Sequence, residues 1–417
     1  MAEVSSIRAL HYVLEKVGAL EEVVAPPYDV IDDEQRAELA GRNPHNVVEL
    51  DLPRDPGGGD PYEHAAELLA KWTDEGVLTH DPDPAIWALE QDYTATDGSR
   101  LTRRGFLARV RLAPYGEGIR PHERTQPGPK EDRLRLTRAT RHNLSPIFAL
   151  HPGNAWQHLE PALSDPWGEV TDGDGTTHRV WRVGDPAVHE AVAAELEPGE
   201  LLIADGHHRY ETALAYQREV GGKGLHDHVL MALVSLEDPG LTVFATHRLL
   251  KTLGSDQREG IRDAARAGFE LEEVPEAELV PSPEDPPVSF GYVDAHHLKP
   301  WRLRLNPEGE AALDEALAGR SEAYRRLDSA ALEELFLKRA VGLSPEDIAA
   351  KKELGYTPST EEAVAALRAG DCDAAFFLRP TPIDQVRAVA AAGETMPPKS
   401  TYFFPKLLTG IVFNPLA

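Results

Sequence analysis

Five consecutive residues, Asp205-Gly206-His207-His208-Arg209, place a carboxylate, a glycine, two imidazoles and a guanidinium directly after the apolar run Leu201-Leu202-Ile203-Ala204. The run has the composition of a short buried strand and Tyr210 to Glu219 that of a helix, so the five residues form a strand-to-helix turn. At such a turn the first N–H groups of the helix carry the positive end of its dipole and suit an anion such as phosphate. Gly206 permits the turn and a close backbone approach, Arg209 offers a planar bidentate fork, and His207 and His208 can donate further hydrogen bonds. Asp205 adds the carboxylate that a magnesium ion or a reacting hydroxyl needs. The competing reading is structural: Asp205 caps the helix while the histidines face solvent or satisfy core bonds. Adjacent histidines cannot share one helical face, which argues against a two-histidine metal site.

A second group of chemically capable residues lies in His122-Glu123-Arg124-Thr125-Gln126-Pro127-Gly128-Pro129-Lys130. The stretch carries too much Pro and Gly for a regular element and too many polar groups for core, so it reads as a functional loop offering Arg124 and Lys130 to phosphate. His122-Glu123 lacks the second histidine three residues after the glutamate, so a zinc-protease motif is excluded. The loop sits in a basic island: Leu101 to His142 holds eleven Arg/Lys and four acids, +7 in a chain of −27. Such a concentration favours anion capture, and the alternative is that these arginines pair with the acidic remainder of the surface. Lys399 and Lys406, in a Pro-rich aromatic tail, can close a polyanion site from the second half, or that tail merely seals the core. In His247-Arg248 strand alternation would send one side chain into a site, which makes His247 a candidate substrate contact. Tyr28 and Asp29, held in an extended path by Pro26-Pro27, are two more.

The elements that must position these groups follow from periodicity. Ala65 to Glu75 has helical spacing, and Ile86 to Thr94 and Leu101 to Leu112 read as a hairpin turning around Asp97-Gly98. Val229 to Leu236 and Leu241 to Leu250 flank Asp238-Pro239-Gly240 and are expected to extend the sheet of the turn. Residues 255–287 are acidic and Pro-rich and read as an exposed connection, which divides the chain into 1–254, 255–287 and 288–417. Beyond it come a hairpin (288–293 and 301–305), helices near 323–339, 360–369 and 383–392, and a strand at 374–378. Hairpins mixed with helices argue for an α+β or mixed α/β fold.

With 417 residues and 41% apolar content the chain can bury a full core. Lys plus Arg number 43 against 70 Asp plus Glu, a balance that repels nucleic acid and anionic membrane, so a phosphate ligand requires a local basic site. The single cysteine, Cys372, allows no internal disulfide and no cysteine-pair zinc site; with no signal-peptide plan and no apolar run of membrane-spanning length, a cytoplasmic protein is expected.

Taken together, Ala25-Pro26-Pro27-Tyr28-Asp29-Val30-Ile31, His122-Glu123-Arg124-Thr125, Pro129-Lys130-Glu131-Asp132-Arg133-Leu134, Ile203 to Tyr210 and Met396-Pro397-Pro398-Lys399-Ser400-Thr401-Tyr402-Phe403 resemble, nearly end to end, the bacterial domain-of-unknown-function family 1015. Asp205 to Arg209 also looks like the Gly-x-His-Arg turn of the ParB/sulfiredoxin superfamily, where that turn binds nucleotide phosphates. This implies a ParB/sulfiredoxin-like core with additional N- and C-terminal α/β elements. His207 stands where sulfiredoxins carry a reactive cysteine, and strand-like, non-basic sequence follows the turn where ParB proteins have a DNA-binding helical region. The remaining branch, kinases of free serine, implies a phosphotransferase acting on a small hydroxyl substrate, L-serine first, with ATP, ADP or pyrophosphate as donor and Mg²⁺ as cofactor. In that reading Gly206, His207, His208, Arg209, Arg124, Lys130 and Lys399 hold phosphates, Glu123 or Asp205 accepts the hydroxyl proton, and Asp205 orients the metal. A non-catalytic phospho-ligand sensor is the alternative, and a ParB-like nucleic-acid role a third.

Overall fold

The computed structural model describes residues 2–95, 98–123 and 127–417, the side chains of 127–129 excepted. The chain divides into two units, one made of 1–121, 125–242 and 405–417, the other of 122–124 and 243–404.

The first unit is built on a nine-stranded sheet: β1 (Val4–Ser5), β2 (Ile86–Thr94), β3 (Arg100–Arg111), β4 (Ile119–Arg120), β5 (Ile147–His151), β6 (Gly168–Thr171), β7 (Thr177–Val183), β8 (Leu201–Asp205) and β9 (His228–Ser235). Their order is β4-β8-β5-β9-β3-β2-β7-β6, with β1 on β3. The β4/β8 and β5/β9 pairs are parallel, the rest antiparallel. The expected hairpin is present, with Trp87 opposite Leu107 and Thr94 opposite Arg100; Asp97 lies outside the described residues. Because side chains alternate along each strand, Ile86, Phe106, Ala149, Ile203 and Met231 share one face. That face packs on helices α3 (Pro186–Leu196) and α4 (His207–Val220) through Val192, Leu196, Tyr210 and Ala213. Burying such a face supplies most of the driving force for the unit, at about 25 cal/mol per Å² of apolar surface.

Helix α1 (Pro61–Asp74) starts one turn earlier than its apolar spacing suggests: the Asp60 side chain accepts from Tyr62 N–H, and Pro61 suits the first helical position. Ala65, Leu69 and Trp72 form its buried stripe. Helix α2 (Pro127–Thr140) corrects the expectation of an irregular loop through Lys130. Proline has no N–H to lose and a fixed φ, so it is tolerated in a first turn where it would break a helix interior.

The second unit holds a six-stranded antiparallel sheet of β10 (His247–Leu250), β11 (Phe269–Glu273), β12 (Ser289–Asp294), β13 (Trp301–Leu305), β14 (Leu354–Thr357) and β15 (Ala374–Phe377), in the order β11-β13-β12-β15-β10-β14. Val293, Leu367, Ala375 and Phe377 belong to its core. Two expectations are corrected here. Residues 241–250 are not one strand of the first sheet: Thr242–Phe244 is separate, and β10 pairs with β14 and β15. Strand composition sets that a segment pairs, not with which sheet. Nor is 255–287 only an exposed connection, since Ser255–Gly268 is helix α5 and 269–273 is β11. The acidic residues of α5 lie on its outer face, while Ile261 and Ala265 are buried.

Cys372 is buried and free, and burial pushes its thiol up to about 11, which keeps it protonated and inert. The whole is a mixed α/β protein. Among the described residues no helix is long and apolar enough to cross a membrane.

Candidate phosphate-binding turn

Strand β8 is buried up to its last residue, Asp205, which is half-buried, and α4 begins at His207, so the turn is a single residue, Gly206, at φ +93°. Only glycine adopts this conformation without strain. Gly206 stands at the N-cap, so the N-cap residue itself offers the helix no side chain. The Asp205 carboxylate lies between two cations. Oδ2 accepts from Lys406 Nζ at 2.9 Å, and Oδ1 is 3.8 Å from Arg209 Nη2.

Arg209 folds back over the turn. A Cβ on Gly206 would meet its Nε at 2.9 Å and its Nη2 at 3.0 Å, so the guanidinium edge fills the space that only glycine leaves open. Nη1 donates to the Pro146 carbonyl, and Nε is buried with no hydrogen-bond partner among the described residues. His207 is buried at the first helical position and His208 is half-buried beside it.

The surroundings of Arg209 are also ionic. Asp51, 4% exposed, accepts from Arg133 Nη1 at 3.0 Å, and the Arg133 guanidinium stacks 4.2 Å from the centre of the Tyr28 ring. Burial pushes the Tyr28 hydroxyl up to about 12, with the positive field of Arg209 the largest opposing influence, so Tyr28 is a neutral donor near the turn. Burial likewise raises the Asp51 carboxyl, against the pull of Arg133 and then Arg209. Asp29 is exposed. Lys130, expected at phosphate, donates instead to Glu211 Oε2 at 2.8 Å, one turn along α4.

Most of the basic island is accounted for by ion pairs. Arg104 bonds Glu90, Arg111 Glu3, Arg120 Glu200, Arg135 Asp60 and Arg138 Glu219, all within 3.0 Å. Exposed pairs of this kind contribute little each, and they use up the local excess charge.

Glu123, Lys399 and His247 belong to the second unit. Glu123 Oε1 accepts from Lys399 N–H at 3.2 Å, and Lys399 has φ +59°. The loop carrying it is gripped by Arg248, whose Nη2 donates to the Lys399 carbonyl at 3.0 Å. His122 Nε2 bonds Thr401 Oγ1 at 2.8 Å. His247 is a framework residue: Nδ1 accepts from Leu378 N–H at 3.3 Å and Nε2 bonds Thr360 Oγ1 at 3.0 Å. Burial lowers its imidazole to about 4. Arg124 lies outside the described residues.

Sequence reasoning placed Lys406 in the second unit; 405–417 belong to the first unit, and Lys406 is a partner of Asp205. It gave no role to Gln91 or Asp51, and counted Arg103 and Arg133 only within the basic island. The signal for Arg103 was an arginine at an inward position of a long strand pattern.

The profile of a family described as protein of unknown function (DUF1015) matches residues 4–330. No curated protein matches the sequence. Among solved structures, a conserved hypothetical protein from Pyrococcus furiosus is 18% identical with a TM-score of 0.35, over 71% of this chain and 93% of that one. A free serine kinase in complex with AMP is 16% identical (TM-score 0.35; 71% and 89%). SbnI with a C-terminal truncation, from Staphylococcus aureus, is 12% identical (TM-score 0.37; 73% and 85%).

Proposed function

The chain belongs to the DUF1015 family, whose description names no activity, and we propose from its own residues that it is a phosphotransferase acting on a small hydroxyl substrate, with a nucleotide or pyrophosphate donor bound at the 205–209 turn. The observation that carries this reading is the Arg209 guanidinium held over Gly206 at the start of a 14-residue helix, with the ammonium of Lys406 beside it on Asp205. A helix N-terminus and two cations on one carboxylate give the positive field that transfer of a charged phosphoryl group requires.

In this reading Gly206, His207, His208 and Arg209 hold the donor phosphates, and Tyr28 contributes a hydroxyl donor. Asp205 orients the two cations. As a carboxylate already shared between Lys406 and Arg209, it fits a magnesium ion only in company with phosphate oxygens and water. Among the described residues no group of three His, Cys or carboxylate side chains could hold a metal. A magnesium ion brought with the donor would supply neutralisation of phosphate charge. Glu123 and Lys399, hydrogen-bonded to each other within the second unit, are the residues that the sequence resemblance offers as proton acceptor and further phosphate contact. The resemblance of the turn to that of the ParB/sulfiredoxin superfamily makes L-serine the first acceptor to try.

Phosphorus NMR on the purified protein with Mg²⁺ and L-serine, run in parallel with ATP, ADP and pyrophosphate, tests the proposal. A phosphoserine signal that disappears in Arg209→Ala and Glu123→Gln supports it and identifies the donor. Binding of a donor with no turnover of any hydroxyl substrate would favour a phospho-ligand sensor. That second reading has one observation behind it: the Asp205 carboxylate is already engaged by Lys406 and Arg209.

A further inference from the structure

A buried polar row crosses the first sheet on the face opposite the α3/α4 core. His178 on β7, Gln91 on β2 and Arg103 on β3 stand opposite one another on three neighbouring strands, at 0%, 1% and 0% exposure. His178 Nε2 bonds Asp172 Oδ2 at 2.8 Å, which puts the ring proton on Nε2 and leaves Nδ1 to accept from Gln91 Nε2 at 3.1 Å. Gln91 Oε1 accepts from Arg103 Nε at 2.9 Å and from Nη2 at 2.5 Å.

The row ends on a backbone. Arg103 Nη2 donates to the Pro405 carbonyl at 2.6 Å, and Gln91 Nε2 donates to the Lys406 carbonyl at 3.1 Å. Two side chains thus grip two successive carbonyls, and the side chain that leaves this fixed backbone reaches Asp205 at 2.9 Å. Among the described residues Arg103 has no carboxylate hydrogen-bonded to it and its buried Nη1 has no partner; burial pushes it down to about 10, and the Phe148 ring covers it at 4.6 Å. Burying a guanidinium on neutral acceptors is costly, and a strap that only closed the core could be held by apolar contacts. The fold meets that cost at the residues that set where Lys406 emerges.

We infer that Lys406 is a phosphate-binding residue of the turn, resting on Asp205 and shared with an arriving anion, and that Gln91 and Arg103 are the positioning residues that aim it. This rests on the phosphate-binding reading of the turn. The assignment involves no bond making; it specifies which cation the turn uses and what holds it in place.

Calorimetric titration with inorganic pyrophosphate and with ADP, on wild type, Arg209→Ala, Lys406→Gln, Lys406→Arg and Gln91→Met, tests the affinity part. Lys406→Gln should weaken pyrophosphate binding about tenfold or more, the loss of one charge-assisted contact, and Lys406→Arg should recover most of it. The positioning part is read independently of binding, by the rate at which acetic anhydride labels Lys406, measured by mass spectrometry against the other lysines. Gln91→Met should raise that rate severalfold while leaving the circular dichroism spectrum and the labelling of other lysines unchanged. Should Gln91→Met not fold, Arg103→Lys, which keeps the charge and loses the two-point grip, is read in its place. Wild type that binds neither compound sinks the phosphate reading of the turn, and the role of Lys406 with it. Wild type that binds, with Lys406→Gln binding equally well, overturns the assignment of Lys406 and leaves the turn intact. Labelling of Lys406 unmoved in the positioning variants overturns the role of Gln91 and Arg103.

Discussion

The guanidinium of Arg209 occupies the space that a side chain would need at Gly206, its Nε 2.9 Å from where the Cβ would lie. The two residues are therefore one device. The glycine gives the backbone its φ of +93° and also clears the ground for the cation.

Gly206→Ala should accordingly do more than strain the turn. The positive φ costs about 1–3 kcal/mol, and the methyl group forces Arg209 off its position. Urea unfolding should show the stability loss, and pyrophosphate binding should fall in the same variant. A stability loss with unchanged binding would separate the two residues and weaken the reading of the turn.

Arg133→Met should destabilise the first unit by about 3–5 kcal/mol, because it strands the Asp51 carboxylate in the interior. The double variant Arg133→Met/Asp51→Leu should recover a large part of that loss. Chemical denaturation of the single and double variants measures the difference, and equal losses in both would mean that the pair is not the source.

Stability of the second unit should depend on pH through His247. Its folded-state value is lowered to about 4 by burial, so between pH 6.5 and 4 the unfolded chain binds a proton that the folded chain refuses. The stability is fully present above pH 6.5 and is lost as pH falls through this window, by an amount approaching about 3 kcal/mol. His247→Gln should flatten that part of the profile. A wild-type and variant pair with parallel profiles from pH 7.5 to 4 would show that the imidazole titrates normally.

Glu123→Gln preserves the oxygen that accepts from the Lys399 N–H and removes the charge. If Glu123 takes the hydroxyl proton, turnover should fall by about 10²-fold or more with the donor affinity little changed. Steady-state kinetics on the donor identified by NMR would decide it; an equal fall in affinity and turnover would move Glu123 from proton transfer to binding.

Much of this protein could be read from local order. The 86–94 and 100–111 hairpin, the strand and helix on either side of Asp205-Gly206, and the stripe of Ala65, Leu69 and Trp72 all follow from periodicity and turn residues within about twenty positions. So did the candidate turn itself, because a glycine between a buried strand and a helix rich in His and Arg has few uses.

Tertiary structure decided which charges remain at the site. Lys130 is as basic as Lys406 in the sequence, yet one lies on Glu211 and the other on Asp205, through chain separations of 81 and 201 residues. The same holds for the second sheet, where β10 follows the first unit directly but pairs with β14 and β15 more than a hundred residues later. A sequence specifies strand and helix by short-range sterics and by the period of its apolar residues. Which carboxylate a given lysine meets, and whether an arginine such as Arg103 is solvated or buried, depends on contacts that form only when distant segments close on one core.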